Sequence, residues 1–395
     1  MRQLFKGLLL VCVCSWVSEL CEAQTKKDAP LADAGKTEGN KAAPAAGAPA
    51  ARPTMQKYAE NVSILLQNMS ALDSNPSKEQ RNKVIQALTT LKGLSHDVQP
   101  TMAAYAVDPV MRYLSFDLPK QFSRIEAAYT SSNYSYARLL LRQTTQYCVG
   151  CHAASANKSS AVAAFAEPIQ NLSDLEKAEY FGATRRHEEA MLAYERFLSD
   201  KKFKMSQPEL WEKAVKNLMA ITIRIRNDAH ITLEMASALL DEGGYSPQQK
   251  EMLQVWRTSA KAWSQENISQ KLVGNELLNK AELLIDKGQK LSVKGPHLGY
   301  IEFMRAMTLL NELAMSDAKD ALKARSFLLT GQTSENLREV FIWMHPEAYY
   351  EACIRLMPHS QEAKDCSKRL ESYQIQQKDP ILEKEKLQQL INLAK

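Results

Sequence analysis

Tyr134-Ser-Tyr136-Ala-Arg-Leu139-Leu140-Leu-Arg142-Gln143-Thr-Thr-Gln-Tyr147-Cys148-Val-Gly-Cys151-His152 joins a helical pattern to a cluster of reactive side chains. Tyr136, Leu139, Leu140, Gln143 and Tyr147 recur at three- and four-residue intervals, the period of an α-helix. Asn133, just ahead of them, is a good opening residue for that helix. The last five residues then set two thiols three positions apart, with an imidazole immediately after.

Working upstream, three more segments read as helices. Tyr58, Val62, Leu65, Leu66 and Met69 trace one apolar stripe, and Asn75-Pro76-Ser77 ends it and caps the next. Val84, Ile85, Leu88, Leu91 and Ser95 trace a second stripe that stops near His96, with a connection through Pro100. Asp108-Pro109 is a helix start, Asp as cap and Pro in the first turn. That segment runs toward Thr130, with Pro119 as the place for a bend. Residues 55–157 therefore predict a four-helix bundle.

Downstream, residues 158–170 are small, polar or Ala-rich and read as a hinge. Residues 171–395 show helical patterning and almost no strand alternation: Gln207-Pro208 and Ser246-Pro247 open helices, and Gly243-Gly244 stops one. Trp211, Trp256, Trp263 and Trp343 fit packing positions. Ala178, Phe181, Ala190 and Tyr194, and again Tyr350, Cys353 and Pro358, sit at spacings that resemble tetratricopeptide repeats. Asp174 and Lys202 stand where the repeat would have Trp and Pro, and no clean 34-residue period links the two stretches. The fold class expected is all-α, a bundle followed by an α-solenoid-like array of helical hairpins.

The N-terminus has a different character. Arg2 and Lys6 precede a short apolar run, Leu8 to Val17, and small residues lead to a cut after Ala23. Residues 1–23 read as a secretory signal too short to span a bilayer. The alternatives are a retained anchor or a lipid attached at Cys21, although Glu19 and Leu20 are poor neighbours for lipidation. Residues 24–54, rich in Ala, Pro and Gly, read as a disordered linker. No later segment is apolar enough to cross a membrane. The net charge of +5 is spread along 395 residues without a basic block, which argues against nucleic-acid binding.

Cys148-Val-Gly-Cys151-His152 matches C-x-x-C-H, the attachment signature of a c-type haem. The thiols add across the two vinyl groups, and the next residue supplies the proximal iron ligand. A chance match in a chain of this composition is expected on the order of 0.002 times. A thioredoxin-like pair would want a strand before the motif, and a zinc site a second Cys/His pair nearby. One covalent haem c is therefore expected, in a periplasmic or secreted protein.

Late placement of the motif, at the end of a fourth helix, resembles the cytochrome c′ and cytochrome c-556 group over roughly residues 55–157. That resemblance implies a sixth iron ligand that is a Met of the first helix, or an open site for small gases. In an up-down bundle Met55, His96, Met102 and Met111 fall at the motif's end, whereas Met69 belongs to the core. His96 is preferred among the four as distal ligand. Tyr147, Tyr136 and Arg142 could line the haem or pair with its propionates, packing being the plainer role for each.

Cys353 and Cys366 flank Pro358-His359 symmetrically and are expected to form a disulfide across a helical hairpin. No phosphate-binding glycine loop, nucleophile elbow or His-Glu-x-x-His occurs, so nothing argues for an enzyme. The function expected is single-electron transfer, with the helical array docking a redox partner protein or a second copy of the chain. The alternatives are CO or NO binding at an open haem, and a scaffold to which the haem bundle is an appendage.

Overall fold

Helix boundaries along the chain are set by local chemistry. Asp108 accepts a hydrogen bond from the Val110 N–H at 2.8 Å, directly ahead of Pro109. Ser173 with Glu176, and Ser246 with Gln249, form reciprocal capping boxes that satisfy otherwise orphaned N–H groups. Gly243 closes a helix at φ of 67°, a conformation that is cheap only without a Cβ.

The computed structural model describes residues 51–69, 76–105, 108–154, 169–200, 204, 206–266, 271–338, 341, 344–377, 382 and 384–395. Among them the chain is all-α, with no strand. The first four helices are α1 (Ala51–Asn68), α2 (Lys78–Tyr105), α3 (Pro109–Thr130) and α4 (Tyr134–Ala154). A 3-10 turn, Ile169–Asn171, precedes α5 (Asp174–Ala183), α6 (His187–Leu198) and α7 (Pro208–Ala220), and α7 runs on into a π-helical turn, Ile221–Ile225. Then come α8 (Ala229–Glu242), α9 (Pro247–Ser264), α10 (Asn275–Ser292), α11 (Tyr300–Met315) and α12 (Asp320–Leu337). The last three are α13 (Pro346–Leu356), α14 (Gln361–Gln376) and α15 (Lys384–Ala394). The expected signal (1–23), the linker up to residue 50 and the hinge up to residue 168 lie outside the described residues.

Two boundaries differ from the sequence pattern. Helix α1 begins at Ala51, inside the expected linker. Helix α2 does not stop near His96; it continues through Pro100 to Tyr105. A proline in a helix removes one backbone bond and crowds one carbonyl. The next residues, Thr101-Met-Ala-Ala-Tyr105, offer no Gly or Asn with which to turn, so the chain reverses only ahead of the Asp108 cap.

Helices α1 to α4 pack in sequence, each on the next. Tyr58 on α1 shares a hydrogen bond with Ser95 on α2, and Lys92 on α2 meets Glu126 on α3 at 2.5 Å. The stripes on α1 and α2 turn inward: Leu65, Val84, Leu88 and Leu91 are wholly buried. On α4 the buried face is Ala137, Leu140 and Leu141, while Tyr136 and Leu139 stay 43% and 49% exposed. Helix α4 lies on α5, and α13 returns to pack on α3, where the Tyr349 hydroxyl donates to Asp108 Oδ2 at 3.3 Å. One apolar core therefore runs from Tyr58 to Ala394, with a second, smaller core between α10, α11 and α12. In the hairpin of α5 and α6, Ala178 and Ala190 are wholly buried, with Phe181 and Tyr194 packed alongside. Trp211, Trp256 and Trp263 are buried, and Trp343 lies outside the described residues.

Candidate functional site

Helix α4 is unbroken from Tyr134 to Ala154, so Cys148, Cys151 and His152 occupy positions i, i+3 and i+4 of one helix. Residues so spaced share one side of a helix within little more than a turn. Two thiols and an imidazole set this way can hold a flat macrocycle at three points. The side chains of Cys151 and His152 lie outside the described residues.

The Cys148 side chain is half-buried and makes no disulfide. Its Sγ lies 4.0 Å from the Thr144 carbonyl, on the side of α4 that carries Leu141 and Thr144 into the core. Burial pushes the thiol up to about 11. An exchange-active redox cysteine has its thiol lowered instead.

Tyr147, the residue before, faces α3. Its hydroxyl donates to Asp117 Oδ2 at 3.1 Å and accepts from Gln121 Nε2 at 3.4 Å. Burial, then the Asp117 carboxylate, raises the Tyr147 phenol. Helices α3 and α4 are joined by a three-residue turn and run antiparallel. Four residues back from Asp117 is Tyr113, so Tyr113 stands level with position 151. Burial pushes the Tyr113 phenol up to about 12, with Glu347 and Asp117 adding to the shift.

Sequence reasoning missed the residue that packs on Tyr113. The His345 ring lies against it, centroids 4.1 Å apart. His345 Nδ1 is 3.0 Å from Glu347 Oε1, and both side chains are largely buried, at 15% and 5% exposure. His345 Nε2 is sealed from solvent and has no hydrogen-bond partner among the described residues. The local signal is His345-Pro346-Glu347, a helix start with a carboxylate two residues on, but nothing in it connects to α3. Below this pair Asp108 is buried, its carboxyl raised by burial against the pull of the Val110 N–H and the Arg224 charge.

The four expected distal candidates are placed differently from one another. His96 is exposed on α2, nine residues before the end of that helix. The Lys92–Glu126 pair, with Tyr58 against both Ser95 and Phe122, sets His96 level with about Gln121 on α3, on the order of 13 Å short of position 152 at 1.5 Å per residue. The Met102 side chain lies outside the described residues. Met111 is partly buried at the start of α3, and Met55 is partly buried on α1, packed against the core one turn from Tyr58. Met69 is core.

Other side chains near the motif already have partners. Arg142 is bound to Glu179 on α5, and Arg138 to Glu176. Away from the motif, Cys353 on α13 and Cys366 on α14 are joined as a disulfide, both wholly buried, with Cα atoms 6.3 Å apart. Among the described residues no helix is long and apolar enough to cross a membrane.

Comparison with known proteins adds no relative: no family model, no curated protein and no solved structure matches the chain.

Proposed function

We propose that the chain is an exported monohaem c-type cytochrome that passes single electrons. Cys148 and Cys151 hold the haem covalently, and His152 is the proximal iron ligand. The observation that carries this is the C-x-x-C-H unit on the unbroken last turns of α4, its thiols and imidazole at i, i+3 and i+4.

Three further features support it. A dithiol redox site would want a lowered thiol at the end of a strand, whereas Cys148 is raised and helical. The Cys353–Cys366 disulfide fits an oxidising compartment, the setting a secretory signal at 1–23 would provide. Four helices packed in sequence, with the motif on the last, support the bundle resembling cytochrome c′, and the α5–α6 hairpin supports a tetratricopeptide-like array.

Bound haem supplies a one-electron couple between ferric and ferrous iron. The chain's own part is to hold it on α4, near the Tyr113 and Tyr147 phenols, which burial keeps protonated. Helices α5 to α15 are the surface on which a redox partner or second copy would dock.

The test is an absorption spectrum of the full chain exported from a host with haem-maturation machinery, oxidised and then reduced, with a denatured pyridine spectrum for covalent attachment. Covalent haem is expected, reduced to a single-bonded or non-covalent species in Cys148→Ser and Cys151→Ser. A protein without covalent haem overturns the proposal. A reduced protein that takes up CO at once replaces electron transfer with gas binding.

A further inference from the structure

Resting on the haem assignment above, the geometry points to His345 Nε2 as the iron's sixth ligand, delivered from the far end of the sequence. Three independent observations meet at this side chain. Its ring lies on Tyr113, which the α3–α4 register sets level with position 151, so the imidazole stands at the height of the motif. Its Nε2 is buried without a hydrogen-bond partner among the described residues, an arrangement that costs free energy unless something occupies the lone pair. Its Nδ1 is held by Glu347 Oε1 at 3.0 Å.

That last contact fixes the chemistry. A carboxylate accepts, so Nδ1 carries the proton and Nε2 presents its lone pair. This is the carboxylate–histidine arrangement that orients a metal-binding imidazole and makes it more basic. Coordination would then use the Nε2 lone pair and leave the Nδ1–Glu347 contact in place, with no change of oxidation state. His96, by comparison, is exposed and more than two helical turns from the level of position 152. Two axial imidazoles favour a low potential and outer-sphere transfer over gas binding.

The consequence is architectural. The ligand would tie α13 to a haem held on α4, so the bundle and the C-terminal hairpins close around one iron. Glu347 acts as a positioning residue.

The experiment uses the full, haem-loaded chain. Wild type is expected to be low-spin, with the electron paramagnetic resonance signature of two axial imidazoles, and indifferent to CO when reduced. His345→Ala should lose that signature, become high-spin and bind CO, and added imidazole should restore the low-spin spectrum. His345→Met keeps a ligand of similar bulk and should stay low-spin with a thioether signature, which covers the case in which the Ala variant fails to fold. Glu347→Gln should keep six-coordination but raise the reduction potential. His96→Ala should leave the spectrum unchanged. The inference is overturned if His345→Ala or His345→Met retains the wild-type signature, if His96→Ala abolishes it, or if wild type is five-coordinate. A pyridine spectrum without covalent haem overturns the haem assignment itself, a separate readout.

Discussion

Arg142 on α4 grips Glu179 on α5 through two parallel hydrogen bonds, Nε to Oε2 at 2.8 Å and Nη2 to Oε1 at 2.9 Å. One turn earlier Arg138 meets Glu176 in the same way of charge against charge. Both carboxylates are almost fully buried, at 4% and 5% side-chain exposure. The helix that bears the motif is thus fastened to the rest of the chain by its own arginines.

Glu179→Ala should destabilise the protein by about 2–3 kcal/mol, because it strands a guanidinium that is only 22% exposed. Replacing both partners, Arg142→Met with Glu179→Leu, should recover most of that loss, since neither charge then remains in the seam. Urea titrations of the two variants and wild type read the difference. Equal destabilisation of single and double variants would show that the pair contributes more than the absence of a stranded charge.

Removing the staple between α13 and α14 is a second test. With the cysteines 13 positions apart in sequence, loop-closure entropy puts the contribution at about 3 kcal/mol. Cys353→Ala with Cys366→Ala should lower the thermal midpoint, and in protein prepared without haem the midpoint should no longer fall when a thiol reductant is added. A thiol-reductant response that survives in the haem-free double variant would point to another disulfide.

Acid should act through His187, the first residue of α6. Burial, with Arg185 and Arg226 nearby, lowers its imidazole from 6.5 to about 4. Its Nδ1 has no hydrogen-bond partner among the described residues. The native state thus holds the neutral ring, while the unfolded chain takes up a proton below pH 6.5. Stability is fully present above that pH and is lost as pH falls toward 4, by about 3 kcal/mol at most at 1.36 kcal/mol per unit. In His187→Gln the fall between pH 6.5 and 4 should be shallower than in wild type, measured by denaturant unfolding at each pH. Parallel curves would remove His187 from the account.

Much of this fold is legible in the sequence. The stripes on α1 and α2, the Asp108-Pro109 start and the Ser246-Pro247 start depend on local chemistry, which sequence carries directly. The run of α2 past Pro100 is not legible, because a proline marks a boundary in one context and is tolerated in another, and the residues after it decide which. That one helix end determines where His96 stands: a stop near residue 96 would set it at the motif's level, and the longer helix carries it away. The face of α4 is also turned: Tyr136 and Leu139 look like core residues by size, but Ala137, Leu140 and Leu141 take the core side and leave those two exposed. His345 is invisible for a different reason. Its pairing with Tyr113 spans more than 230 positions and leaves no periodic trace in the chain.

The closest approach between helices gives the last test. A Cβ on Gly331 of α12 would stand 2.4 Å from Tyr350 Cε1 on α13 and 2.8 Å from its Cζ. The ring cannot swing away: Tyr350 is wholly buried, and its hydroxyl donates to Glu335 Oε1. Glu335 is itself held by Arg369 on α14, at 2.9 and 2.5 Å. Gly331→Ala must therefore push α13 away from α12, an overpacking cost of about 1–3 kcal/mol that outweighs the roughly 1 kcal/mol an alanine gains over glycine inside a helix. Gly93 on α2 is the opposite case, exposed and with nothing within 4 Å of an added Cβ. Gly93→Ala should stabilise by about 0.5–1 kcal/mol, since only the flexibility of the unfolded chain changes. The two substitutions are chemically identical and should move the urea midpoint in opposite directions. Midpoints that rise together would mean that α12 and α13 stand further apart than this contact requires.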